Sequence, residues 1–514
     1  MALETNHLAH WRSRRWTGAL ACAGAVWLTA CAVGPNFARP SKPTFDSYLE
    51  SKGPETTASA DGAAQRFVGG ASVPAEWWRL FRAPVLDGIV DEGLKHNQTV
   101  ASAVATLRQS EDALRAGYGI FFPQIGAGLD AGRQRSSPAK FGQSTPSNVF
   151  NLFTLSGSVS YLVDVFGGAR RRVESLRVDV DHEHNALLAA YLSMTANIVN
   201  TSIARAGYRA EIVATQTLID SAAEQVNLTE VPAKAGTVPY SAALSLQSQL
   251  SGLQASLAPL ELHADQADHL LAVLIGHAPA EGTPPELELG DFTLPQDLPV
   301  SLPSELVRQR PDILAAEARL HGASAQIGVA TAALFPNLTL NGTAGRSATQ
   351  WRDLGEQSGH FWGADAALSV PLYQGGTAWY GRKAAIDAYQ AALADYRQVV
   401  LNAFQQVADS LRALEHDAQL LRAESESTGA ARAALELTQA NYRAGIVDYL
   451  AVLTATNQLH TAQLGYISAV AQRLQDTVAL FAALGGGWRD SPPATGTVAG
   501  APAQADSFDH QPPP

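Results

Sequence analysis

Apolar residues recur at alternating steps of four and three in Val400, Phe404, Val407, Leu411, Leu414, Ala418 and Leu421. A straight surface helix drifts away from such a seam, whereas a 3.5-residue repeat keeps it turned toward a partner. The spacing predicts a coiled-coil helix over 377–443, with no proline between Pro371 and Pro492 to interrupt it. Roughly 65 residues at 1.5 Å each make a rod about 100 Å long. Ala444-Gly445 ends the rod, and a second helical run begins near Asp448. The same seam lies in Leu246, Leu250, Leu253, Leu257, Leu260, Ala264, Ala267, Leu271 and Leu274, on a helix predicted from Tyr240 to Ile275. It follows a second long proline-free helix, predicted over 169–231.

Between helical runs the period falls to two. Ile125, Ala127, Leu129 and Ala131 alternate with Gln124, Gly126, Gly128 and Asp130. Leu155, Gly157, Val159, Tyr161 and Val163 alternate with Ser156, Ser158, Ser160 and Asp164, with Leu162 the exception. Strands are therefore predicted at about 122–132 and 150–165, each with one apolar and one polar face. A second pair follows at about 335–346 and 361–372, from the alternation in Leu338, Leu340, Gly342 and Ala344 and in Trp362, Ala364, Ala366, Leu368 and Val370.

Landmarks recur in order: Phe122-Pro123 with Phe335-Pro336, Gly167-Gly168 with Gly375-Gly376, and Ala235-Gly236 with Ala444-Gly445. Each pair is about 210 residues apart, so one unit of helix, β-hairpin, long helix and helix occurs twice. The repeats occupy 84–276 and 304–485, joined by a proline-rich connector at 277–303. Residues 31–83, rich in Pro, Ser, Thr and Gly without a period, read as an extended tether, and 486–514 as a disordered tail.

Of the 514 residues only 16% are charged, and the formal charge is −12. Basic residues are outnumbered and unclustered, which argues against a nucleic-acid partner. The two cysteines, Cys22 and Cys31, lie near the N-terminus, so the body can form neither a disulfide nor a cysteine-ligated metal site. Arg12, Arg14 and Arg15 precede an apolar run from Trp16 to Leu28 too short to span a bilayer, the pattern of a cleaved export signal over 1–30. It closes on Leu28-Thr29-Ala30-Cys31, which resembles a bacterial lipoprotein signal and implies acylation of Cys31. In similar lipoproteins Asp at the next position marks inner-membrane retention; here it is Ala32, which favours the outer membrane.

Strands with one apolar face, in an exported and lipid-anchored chain, point to a membrane barrel. Four strands cannot close one, and an open edge in lipid leaves backbone groups unpaired, so chains must pool strands. Three copies give twelve strands and a wet lumen. The expected fold is mainly α with a β-barrel part: a homotrimer whose membrane β-barrel continues into a long periplasmic α-helical barrel.

Several motifs carry a resemblance across Cys31 to about Gly485. They are Cys31-Ala32-Val33-Gly34-Pro35-Asn36-Phe37 with Arg39-Pro40, Trp77-Trp78 to Phe81, Phe335-Pro336, Pro371-Leu372-Tyr373-Gln374-Gly375-Gly376 and Asn441-Tyr442-Arg443-Ala444-Gly445. Together they resemble the TolC-like outer-membrane efflux proteins, in their NodT-type lipoprotein branch. The resemblance implies a passive exit duct for drugs, toxic compounds or metal ions. It further implies a periplasmic adaptor and an inner-membrane pump of the resistance-nodulation-division class as partners, beside outer-membrane lipids.

By that resemblance Lys234, Ala235, Gly236 and Val238, with Arg443, Ala444, Gly445 and Val447, form periplasmic tips that meet the adaptor. A bland alternative is that Gly236 and Gly445 only permit left-handed turns. Asp448, Tyr449 and Thr454 are the candidate gate. The family often carries aspartate where this chain has Thr454, so Asp448 supplies the carboxylate ring instead, or the gate is neutral and Asp448 is a helix cap. Arg170, Arg171 and Arg172 read either as neighbours of lipid headgroups or as a solvated helix start. His182-Glu183-His184 places histidines two apart, pointing away from each other on a helix, and reads as a solvated face rather than a metal site. No nucleophile with a base, phosphate loop or cofactor motif stands out, which argues against an enzyme. A non-conducting lipoprotein tethering the outer membrane to periplasmic components is the alternative, but it has no use for four amphipathic strands.

Overall fold

The computed structural model describes residues 32–50, 55–136, 147–237, 239–282 and 284–487. The expected export signal, Cys31, Val238 and the tail beyond 487 lie outside them. In chain order the elements are β1 (Arg66–Gly69), α1 (Pro84–His96), α2 (Gln98–Gly117), β2 (Gln124–Ser136), β3 (Asn148–Val163), α3 (Gly168–Lys234), α4 (Tyr240–Leu274), β4 (Asp297–Val300), α5 (Pro303–Gln309), α6 (Pro311–Ala332), β5 (Asn337–Ala348), β6 (His360–Ser369), α7 (Thr377–Arg443) and α8 (Tyr449–Ala483). The two long helices each hold 67 residues, and the helices that follow them each hold 35.

Where spacing predicts one helix from Pro84 to about Gly119, there are two. Asn97 adopts an extended conformation, its Oδ1 accepting from the N–H groups of Thr99 and Val100 at 2.9 and 3.2 Å while its Nδ2 donates to the Leu274 carbonyl at 2.8 Å. This is an N-cap placed inside an apolar period. The run expected from Ser304 divides likewise at Arg310, extended because the residue before Pro311 is driven out of the helical region. Strand starts shift for a related reason: Pro123 and Pro336 have no N–H to give a ladder, so β2 and β5 begin one residue after them.

The strands form one antiparallel sheet in the order β2-β3-β5-β6. On one face Ile125 opposes Val159, Leu129 opposes Leu155, Tyr161 opposes Leu340 and Leu338 opposes Leu368. On the other, Gln124, Ser160, Asn341 and Asp365 line up across all four strands, with Ser160 Oγ donating to Asn341 Oδ1 at 3.0 Å and Asn341 Nδ2 to Asp365 Oδ2 at 3.1 Å. Neither face is covered among the described residues, and the apolar one leaves Ile125 82% exposed and Trp362 76%. The outer edges of β2 and β6 pair with no described strand.

The chain falls into two compact units. The first gathers the described parts of Met1–Ser41, Ala105–His184 and Ala315–Gln398, including the sheet. Its N-terminal segment, read as an extended tether, is packed against the unit over residues 32–41. Val33 N–H donates to the Phe166 carbonyl at 3.0 Å, Phe37 stacks on His321 at 4.4 Å, and Arg39 pairs with Glu317 at 2.5 Å. Arg171 is neither solvated nor headgroup-facing but buried, with Nη2 on Asn36 Oδ1 at 2.7 Å and Nη1 on Glu174 at 2.7 Å. His182 is likewise not on a solvated face: it is half-buried, its Nδ1 3.0 Å from the Ala315 carbonyl. Gly34 crosses Gly328 so closely that a Cβ on Gly34 would lie 2.5 Å from the Gly328 Cα, at a φ of +97°.

The second unit gathers the described parts of Lys42–Val104, Asn185–Leu314 and Val399–Pro514. Its seams are the predicted ones: Val407, Leu414, Ala418 and Leu421 of α7 are buried, and so are Leu246, Leu250, Leu253 and Leu271 of α4. Ile219, Leu250 and Leu253 form one cluster between α3 and α4. Each such leucine contributes about 2 kcal/mol by leaving water. Trp77 and Phe81, both fully buried, pack on Phe481, and β1 pairs in parallel with β4. The proline-rich connector is held by buried Arg205, which pairs with Asp268 and donates to the carbonyls of Pro284 and Pro285 at 3.1 and 2.6 Å.

Replacing Gly34 by Ala forces the crossing apart and strains a positive φ, a change worth about 1–3 kcal/mol. The expected result is faster protease cleavage within residues 32–41 at unchanged helix content; cleavage as slow as in the parent protein contradicts the packing described.

Candidate functional site

Two features have a geometry that exceeds what folding requires: the uncovered sheet face, and the turns that join each long helix to its successor. The turns are built alike. Gly236 and Gly445 adopt φ of +77° and +73°. Thr237 N–H reaches back to the Pro232 carbonyl at 3.0 Å and Ile446 N–H to Asn441 at 2.9 Å, while the glycine N–H groups bond Ala233 and Tyr442. This six-to-one closure with a left-handed glycine satisfies the last carbonyls of each helix. Among the described residues no atom beyond the glycine's own helix and chain neighbours lies within 4 Å of where either Cβ would stand, so backbone conformation is what calls for glycine here.

Lys234 and Arg443 are the last residues of α3 and α7. Lys234 Nζ pairs with Glu230 at 2.6 Å on the open surface. Ala235, Ala444 and their glycines are exposed, and Val447 is half-buried. Around the turns Val231, Tyr240, Leu244, Ile446 and Leu450 lie open to solvent, a concentration of apolar side chains that nothing in the unit covers.

Asp448 is the N-cap of α8, its Oδ1 accepting from Ala451 N–H at 3.1 Å. Tyr449 is half-buried, its ring edge-on to Tyr442 at 5.4 Å, and burial followed by Tyr442 pushes its hydroxyl above the ordinary tyrosine range. Thr454 is exposed, its hydroxyl donating to the Leu450 carbonyl at 2.9 Å. Asp448 and Thr454 stand six residues apart, about 240° round a helix, so they do not share a face. The structure thus brings Tyr449 to Tyr442 and Asp448 to the helix start, and leaves Thr454 separate.

Sequence reasoning missed the charges inside the helix seams. Along α8 the four-and-three rhythm of Val452, Ala455, Leu459, Ala462, Tyr466 and Ala469 runs on into Arg473 and Asp476. Ionisable residues at seam positions were the available signal.

Each glycine's replacement by alanine at 236 or 445 should cost about 1 kcal/mol, asparagine less, because only φ is at stake. Thermal melts of the purified protein check this; a much larger loss at either site indicates a packing role.

The family model described as outer membrane efflux protein matches residues 89–277 and 302–486. Nodulation protein T of Rhizobium leguminosarum bv. viciae is 29% identical over 490 residues, 93% of this chain and 96% of that protein. Outer membrane protein OprJ of Pseudomonas aeruginosa is 28% identical over 471 residues, 90% of this chain and 94% of its own length. Among solved structures the outer-membrane channel OprN superposes with a TM-score of 0.79 at 26% identity, covering 89% of this chain and all of that one.

Proposed function

The chain belongs to the outer membrane efflux protein family, and from that premise we propose how its geometry makes an exit duct. It is an outer-membrane efflux channel component with a TolC-like fold. The observation that carries the mechanism is the four-stranded sheet with its apolar face uncovered and both outer edges open. In lipid each unpaired backbone group costs several kcal/mol, so β6 of one copy must pair with β2 of the next. Three copies close a twelve-stranded barrel with Ile125, Leu129, Val159 and Trp362 toward lipid. The row Gln124, Ser160, Asn341 and Asp365 then lines the lumen.

The paired long helices of three copies continue this barrel into a periplasmic conduit. Solutes, among them drugs, toxic compounds or metal ions, pass down it passively, delivered by an inner-membrane pump through a periplasmic adaptor. The two turns, Lys234 to Val238 and Arg443 to Val447, are the adaptor-contacting tips, and the apolar residues around them favour that role. Cys31 carries the lipid anchor. Asp448 is at once a helix cap and, repeated in three copies, a ring of carboxylates at the narrow end, with Tyr449 next to it and Thr454 on another face of α8. Like charges in such a ring draw cations and resist closer approach.

Mass in detergent and conductance in a planar bilayer test the duct. A trimer that conducts weakly is expected; a monomer, or a trimer silent in all variants, contradicts it. The gate needs a separate pair of variants, because Asp448→Ala removes cap and charge while Asp448→Ser keeps a capping oxygen. Altered conductance or cation preference in both variants is expected, and an effect confined to Ala assigns Asp448 to the cap alone.

A further inference from the structure

A pair of carboxyl groups is built into the contact between α7 and α8. Asp417, on α7, is 8% exposed, and its Oδ2 is sealed from solvent with no donor in reach among the described residues. The carboxyl of Asp476, on α8, lies within hydrogen-bond reach of it. Asp476 is itself oriented by Gln472, whose Nε2 donates to Oδ2 at 2.8 Å. Two acceptors facing each other without a donor repel, unless one of them carries a proton and donates it to the other.

The surrounding charges lead to the same assignment. Arg473, 1% exposed, faces the pair from α8 and brings one positive charge. Its Nε donates to Gln65 Oε1 at 3.1 Å and its Nη2 to Thr57 Oγ1 at 3.3 Å, while its Nη1, also sealed from solvent, bonds neither Asp417 nor any other described residue. Asp61 also faces Arg473, but its two oxygens accept from Ser425 Oγ and Tyr466 OH, both at 2.8 Å. One guanidinium cannot balance all the carboxylates around it, and the buried Asp417 stays neutral by keeping its proton.

We propose that Asp417 keeps a proton that it donates to Asp476, forming a protonation-dependent clasp between α7 and α8 that loosens when the proton leaves. Ala60, Leu421 and Ala469 pack together in a cluster that joins the N-terminal segment to both helices, so loosening the clasp releases that segment along with them. Burial first, then Asp476, pushes Asp417 up to about 8 against the pull of Arg473, from an ordinary value of 3.8. Between those values the folded chain holds a proton that the unfolded chain has released. The clasp's contribution is therefore complete below the lower value, falls as pH rises, and is gone above the upper one.

The test uses the full-length protein in detergent and needs no channel activity. Infrared difference spectra and hydrogen exchange of peptides covering 410–424 and 469–480 are compared between about pH 6 and about pH 9, a span that brackets the expected proton loss. The parent protein should lose a protonated-carboxyl carbonyl band over that span. Its two peptides should exchange several-fold faster, after correction for intrinsic rates. Asp417→Asn, whose amide donates permanently to Asp476, should lack the band and show no rise. Asp476→Asn should do the same, which keeps the test available where one variant fails to fold. A parent protein without the band at the lower pH, or variants that keep both band and rise, overturns the proposal.

Discussion

A strand edge that meets hydrocarbon has no water to satisfy its N–H and C=O groups, and the rest of this molecule answers to that constraint. The sheet gathers its apolar residues on one face, and β2 and β6 end it with edges that pair with no described strand. Such a sheet is unstable by itself in either solvent. Water would face the exposed Ile125 and Trp362, and lipid would face the unpaired edges. In the proposed assembly, pairing with further copies removes both conflicts.

The helical part meets a different demand. A long two-helix contact is held by many equal apolar steps, each worth little, with no single residue deciding the register. Charges placed in that contact supply what the leucines do not. Arg473 ties α8 to Gln65 and Thr57, and Arg205 ties α3 to the connector. Both are buried with partners on segments that would otherwise have little apolar area to hold them. Loss of one partner would leave a buried charge exposed to no water, which makes these points costlier to break than the leucine contacts around them.

Much of this was legible in the chain. The seam of Val407, Leu414 and Leu421 and the alternation of Ile125, Leu129 and Val159 are local periodicities, and local periodicity survives folding whenever a face is satisfied as a unit. The breaks at Asn97 and Arg310 were less visible. Asn97 looks like one more polar residue in a helix until the Leu274 carbonyl appears beside it. The packing of residues 32–41 was not legible, because extended segments have no period and their partners lie far along the chain. Of the candidate site, the turns were read from their glycines, whereas the capping role of Asp448 was one of several readings until its hydrogen bond from Ala451 appeared.

The equality of the two long helices has a consequence for how this chain can vary. Within a continuous helix one inserted residue turns everything beyond it by about 100° and moves it by about 1.5 Å. Over 67 residues such an error is carried undiminished to the far end. Substitutions at the exposed positions of the rods are therefore cheap, while insertions are admissible only in whole multiples of the seam and only when both rods, and the helices packed on them, change together. Length is a heritable measurement in this molecule, kept by counting residues rather than by choosing them.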